Sequence, residues 1–210
     1  APGGAMAERP APATGRAAVG SIPFVLVGAS TGGPQALVTL LEGMGPQPRA
    51  ATLIVQHLDA RFADSFVAWL GQRSPMPVTA AQPGDRPRPG VVTLAVGEEH
   101  LRLDPLGAFA FSREPVTATI RPSADVLFES VAAHRGAHGV AAILTGMGRD
   151  GARGMLALRR TGFHTLAQDA GTSVIHGMPS AAAAAGGVME MLPIDRIGPR
   201  IAELLRGRSR

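Results

Sequence analysis

Short, uninterrupted apolar runs alternate with amphipathic stretches through most of the chain. Phe24-Val25-Leu26-Val27 has no polar interruption, the pattern of a strand buried on both faces. A glycine-rich turn follows, and Pro34 suits the first turn of a helix that reaches about Gly43. Residues 51–56 repeat the strand pattern, with His57 at its carboxyl end. Phe62, Phe66, Trp69 and Leu70 then recur at i, i+4, i+7 and i+8, which gives a helix one apolar face. The order β-α-β-α predicts a parallel sheet covered by helices.

Between about Val78 and Arg113 the pattern changes. Loops such as Gln82-Pro83-Gly84-Asp85-Arg86-Pro87-Arg88-Pro89-Gly90 separate short candidate strands at 91–96, 101–103 and 109–111, which predicts an antiparallel hairpin insertion. Ser123 is placed to cap a helix carrying Leu127, Phe128 and Val131, with Asp125 in its first turn. Residues 140–144 form another buried-strand pattern, ending in a second glycine turn, Thr145-Gly146-Met147-Gly148-Arg149-Asp150-Gly151. A helix to about Arg160, a strand near 163–167, a helix around 179–185, a short strand at 188–191 and a terminal helix complete the expectation. Residues 1–21 are rich in Ala, Pro and Gly without apolar periodicity, and read as a linker or the remnant of a longer protein.

Composition narrows the function classes. Of 210 residues, 45% are hydrophobic and 17% charged, as in a folded domain. The absence of cysteine excludes disulfides and thiolate metal sites. No apolar run approaches the roughly 20 residues of a membrane span, no signal peptide is visible, and a cytoplasmic location is the default expectation. The net charge is +4 and all 20 basic residues are arginine. They are scattered except at Arg206, Arg208 and Arg210, and aromatics are only 4%, so the sequence predicts no nucleic-acid interface.

Ligands of open α/β sheets bind outside the carboxyl ends of the strands. Three predicted strands lead there to Ser30, His57 and Asp150, the residue types of a nucleophile, a general base and an orienting carboxylate. Gly28-Ala29-Ser30-Thr31-Gly32 fits G-x-S-x-G, a nucleophile elbow on a tight strand-to-helix turn. The order Ser, His, Asp differs from that of the α/β-hydrolase fold. A glycine turn after a first strand is more often a phosphate or dinucleotide cradle, but Ser30 stands where G-x-G-x-x-G needs its second glycine. His57 also stands where a ribose-binding acid would. Met147 is a candidate oxyanion donor through its backbone N–H. His134 and His138, four residues apart on a possible helix, have a spacing that zinc can use, though no third ligand is evident. His100 and His164 read as structural.

These motifs resemble the catalytic domain of the chemotaxis protein-glutamate methylesterase family, CheB. The resemblance rests on Gly28 to Gly33, Ile54-Val55-Gln56-His57, Arg121-Pro122-Ser123-Ala124-Asp125-Val126-Leu127-Phe128 and Ile143 to Gly151, with Gly177-Met178-Pro179 and Gly186-Gly187-Val188. It implies a doubly wound, mostly parallel α/β sheet with an antiparallel hairpin, in a single catalytic domain over residues 22–210. It places the catalytic serine, histidine and aspartate on Ser30, His57 and Asp150, with Thr31 organising the site and the Met147 N–H serving the oxyanion. The implied reaction is hydrolysis of glutamate methyl esters on chemoreceptor helices and deamidation of receptor glutamine, without metal or organic cofactor. A catalytically silent receptor-binding module of the same fold is the alternative. The family's amino-terminal receiver domain has no counterpart in the sequence, which implies an isolated domain active without phosphorylation. Departures from the family pattern fall at Leu58 to Arg61, at Val96 before Gly97, at His176 and at Ser180.

Overall fold

The computed structural model describes residues 22–118 and 120–207. The linker expectation for residues 1–21 lies outside them. In chain order the elements are β1 (Phe24–Ala29), α1 (Gly33–Met44), β2 (Ala51–Gln56), a short 3-10 turn (Ala60–Phe62), α2 (Ala63–Gly71), β3 (Val78–Ala80), β4 (Val92–Ala95), β5 (His100–Leu103) and β6 (Phe109–Ser112). Then come α3 (Ala124–Ala132), β7 (Gly139–Ile143), α4 (Ala152–Arg160), β8 (His164–Gln168), α5 (Gly177–Ala184), β9 (Glu190–Leu192) and α6 (Ile194–Gly207).

The uninterrupted apolar runs become the middle of a seven-stranded sheet of order β3-β4-β2-β1-β7-β8-β9, parallel at every pairing. All residues of β1, β2 and β7 are buried because both faces of the sheet are covered. Side chains alternate across a strand, and β1 divides accordingly. Phe24 and Leu26 join a core with Leu127, Phe128, Met155 and Met178, under α3, α4 and α5. Val25, Val27 and Ala29 join a second core with Leu37, Leu41, Ile197 and Ile201, under α1 and α6. A pattern too apolar to show an outward face is thus the signature of two cores sharing one strand.

The hairpin expectation needs one correction. Residues 92–95 are not part of the insertion: β4 pairs with β2 in parallel, from Thr52↔Val92 to Val55↔Ala95. The Pro- and Gly-rich loop before β4 carries the chain over from β3, a strand that the sequence pattern did not mark. A parallel crossover made by a loop rather than a helix has the same local punctuation as a hairpin. Among the described residues only β5 and β6 pair antiparallel, from His100↔Ser112 to Leu103↔Phe109. Likewise, α3 ends at Ala132, so His134 and His138 lie in the turn before β7 and not on one helix face. Among the described residues no three His, Asp or Glu side chains gather as a metal site.

Strand order reverses direction at β1, which has β2 on one side and β7 on the other. In such sheets the crevice at the carboxyl ends of these central strands is the place for a site.

Candidate active site

Ser30 and His57 are the first residues beyond β1 and β2. The parallel register ends at Ala29↔Gln56, so the next step along both strands sets Ser30 beside His57. Several polar contacts hold that step. The His57 N–H donates to the Ala29 carbonyl at 3.0 Å, and the Ser30 N–H donates to the Thr145 carbonyl, beyond β7, at 3.0 Å. The buried Gln56 side chain donates through Nε2 to the carbonyls of both Ser30 (3.0 Å) and His57 (2.9 Å). Gly32 then takes the left-handed conformation, φ 80°, that starts α1 without a capping side chain.

Asp150 arrives by another route. The expectation of a residue at a strand end is corrected here: β7 ends at Ile143, and Asp150 stands at the far end of the loop that follows. The N-cap of the next helix, α4, is Gly151. The Asp150 carboxylate instead sits on the start of α3. Oδ1 accepts from the Ser123 hydroxyl at 2.6 Å and the Asp125 N–H at 3.1 Å; Oδ2 accepts from the Ala124 N–H at 2.6 Å and from His57 Nε2 at 2.7 Å. Burial alone would raise its pKa. The His57, Ser123, Ala124 and Asp125 donors outweigh that and hold it below the ordinary carboxylate range.

An ionised Asp150 only accepts, so the bonded His57 Nε2 carries the ring proton. Nδ1 is then the basic nitrogen; it is buried and has no hydrogen-bond partner. The imidazole is used the opposite way round from the chymotrypsin-type triad, in which Nδ1 meets the carboxylate.

The two other predicted residues flank this group. Thr31 is exposed, and its carbonyl accepts from the Thr145 hydroxyl at 2.9 Å. Met147 is 69% exposed on the loop before Asp150. That loop is clamped on both sides of Gly146. The Gly146 N–H donates to the Ile175 carbonyl at 2.9 Å, and its carbonyl accepts from Gly177 (3.1 Å) and Met178 (2.9 Å). A Cβ on Gly146 would lie 2.7 Å from Ser30 Cβ and 2.3 Å from Met178 Sδ, so only glycine fits beneath the serine.

Sequence reasoning gave no role to Gln56 or Gln168. Gln168 ends β8 and accepts the Thr145 N–H at 2.8 Å through Oε1. Their shared signal was available: a long amide that closes a buried strand is there to hold loops. Among the departures, His176 contacts the Gln168 carbonyl through Nε2 at 3.1 Å, and Asp59 and Arg61 pair with each other on the surface. Ser180 is exposed. Beside Asp150 a cavity of about 370 Å³ is lined by Ile120, Ser123, Asp125, Arg149 and Arg153, among others.

Comparison with known proteins identifies the family. The family model described as CheB methylesterase matches residues 25–201. The chain belongs to the CheB methylesterase family. It is 45% identical over 190 residues to a protein-glutamate methylesterase/protein-glutamine glutaminase of Burkholderia lata, a match covering 90% of this chain and 57% of that one. A protein of the same name from Pseudomonas fluorescens is 43% identical over 197 residues, covering 94% and 59%. The chain thus spans less than two thirds of these CheB relatives. The CheB methylesterase catalytic domain of Thermotoga maritima superposes with a TM-score of 0.80 at 30% identity, over 88% of this chain and 99% of that one.

Proposed function

We propose that this chain is the catalytic domain of a serine hydrolase that removes methyl esters from glutamate side chains of chemoreceptor helices and hydrolyses receptor glutamine amides. The observation that carries the reading is the His57 ring. Asp150 engages its Nε2, Nδ1 is left without a hydrogen-bond partner, and His57 stands one register step beyond the Ala29↔Gln56 pair, as Ser30 does. The names of the relatives in Burkholderia lata and Pseudomonas fluorescens support the substrate class.

In this mechanism the Ser30 oxygen attacks the side-chain carbonyl carbon while His57 Nδ1 takes the serine proton. The developing oxyanion is met by the Met147 N–H, on the clamped loop, and Thr31 shapes the turn that presents Ser30. Asp150 stabilises the imidazolium across the 2.7 Å bond. Nδ1 then gives its proton to the departing methoxy oxygen, or to the amide nitrogen, as the carbon–heteroatom bond breaks, releasing methanol or ammonia. Water, deprotonated by the same nitrogen, hydrolyses the acyl-enzyme and frees glutamate. Two leaving groups, methanol and ammonia, are served by one geometry because both reactions begin at a carbonyl carbon and end at the same acid. The sequence of steps calls for neither metal nor organic cofactor.

Mass spectrometry of a methylated receptor fragment, before and after incubation, tests the reading. Loss of methyl groups with methanol release supports it; binding of the fragment without turnover would favour the silent module instead.

A further inference from the structure

His100 has no part in the mechanism above, yet it is fully buried at the start of β5. Its surroundings give it a defined task. Ser123 is the N-cap of α3, and the N–H of an N-cap residue is left unpaired by the helix itself. In a capping box, a Glu or Gln three residues on reaches back to that N–H. Here that position is Val126, which cannot. The acceptor comes instead from another element: His100 Nδ1 takes the Ser123 N–H at 3.1 Å.

Only a neutral imidazole can accept there. Burial, the largest influence, lowers the His100 pKa, and the Arg121 charge lowers it further. Asp150 and the Pro115 carbonyl pull the other way without reversing the shift. The ring stays an acceptor, with its proton on Nε2. The Ser123 hydroxyl is thereby aimed: it receives the Val126 N–H at 3.4 Å and spends its one proton on Asp150 Oδ1 at 2.6 Å. A second bond, from the Leu103 N–H to the Ser130 hydroxyl at 3.1 Å, fastens the same hairpin strand to the same helix.

We propose that His100 is a positioning residue for the reaction: it fixes Ser123, which fixes Asp150, which sets the His57 ring. The two-stranded insertion thus has a part in catalysis although it lies outside the main sheet. The inference rests on the reading of Ser30, His57 and Asp150 as the reacting group, but not on the identity of the ester.

Two variants separate positioning from packing. His100→Leu keeps bulk and removes the acceptor; His100→Asn offers Oδ1 near the Nδ1 position. The readouts are kcat and KM for methanol release, the rate of covalent labelling of Ser30 by a fluorophosphonate, and the low-field proton resonance of His57 Nε2–H. His100→Leu is expected to lower kcat and the labelling rate on the order of 10-fold with KM unchanged, the cost of a buried donor left unpaired. It should also shift or broaden the His57 resonance, and His100→Asn should restore all three at equal or lower thermal stability. Equal loss in both variants, tracking their melting temperatures, would overturn the proposal. If the wild-type protein releases no methanol, the methylesterase reading fails, and the labelling rates and the resonance still decide this one.

Discussion

Asp150 and Asp125 hold the ends of each other's helices. Asp150, just ahead of α4, accepts the Ala124 and Asp125 N–H groups at the start of α3. Asp125, in the first turn of α3, accepts the Gly154 N–H in the first turn of α4 at 2.9 Å and the Arg153 guanidinium at 3.2 Å. Each carboxylate lies where a helix start favours negative charge. The loop carrying Met147 and Asp150 is therefore tied to α3 from both directions.

The two carboxylates titrate in opposite senses. Burial raises the Asp125 pKa above its ordinary value, against the Gly154 N–H, and the Asp150 charge adds to the rise. A folded pKa above the unfolded one means that stability is lost as pH rises through that range. Asp125→Asn keeps an acceptor for Gly154 and removes the charge. Its melting temperature should gain on that of the wild type as pH goes from acid to neutral, and should exceed that of Asp125→Ala, which loses a cap worth about 1 kcal/mol. A gap moving the other way with pH would contradict the assignment.

For Asp150 the sign is reversed, because its folded pKa is depressed. Its contribution to stability is complete above the ordinary carboxylate value and is lost as pH falls through the lower folded value. Denaturation midpoints of the wild type and Asp150→Asn should differ by a constant amount from neutral pH down to about 4, and converge below it. At neutral pH the same substitution should reduce kcat by about 10⁴, the scale seen when a triad aspartate becomes asparagine.

Gln56 donates to the carbonyls of the two residues that must meet, while its Oε1 is buried without a partner. It acts only as a donor. Gln56→Leu should cost about 1–3 kcal/mol, because it takes the donor from the His57 carbonyl and leaves the Ser30 carbonyl with the Gly33 N–H alone. Gln56→Glu should be worse at neutral pH, because a carboxylate facing those carbonyls cannot donate. Calorimetry on both variants, with kcat measured alongside, checks the order; a milder Glu variant would contradict it.

Much of this was legible in the chain because apolar periodicity reports burial directly. The runs at 24–27, 51–56 and 140–144 marked the central strands, and Ser30 and His57 were placed because they directly follow two of them. Strand order is a non-local property that no window of sequence carries, so β4 was read into the hairpin. Asp150 was picked by type and motif, but its seat on α3 depends on a meeting of residues 123–125 with a loop more than twenty positions away. The orientation of the His57 ring follows from that seat and was invisible for the same reason. His100 read as structural because it falls in the hairpin region, and its contact with the Ser123 N–H lies on a different element.

The central claim is that Ser30 forms an acyl bond with the receptor glutamate while His57 Nδ1 takes its proton. Methanol release from a methylated receptor fragment, followed for the wild type and Ser30→Ala under identical conditions, tests it most directly. The account predicts stoichiometric release by the wild type and a loss of several orders of magnitude in the variant. Release by Ser30→Ala at a rate near that of the wild type would contradict it.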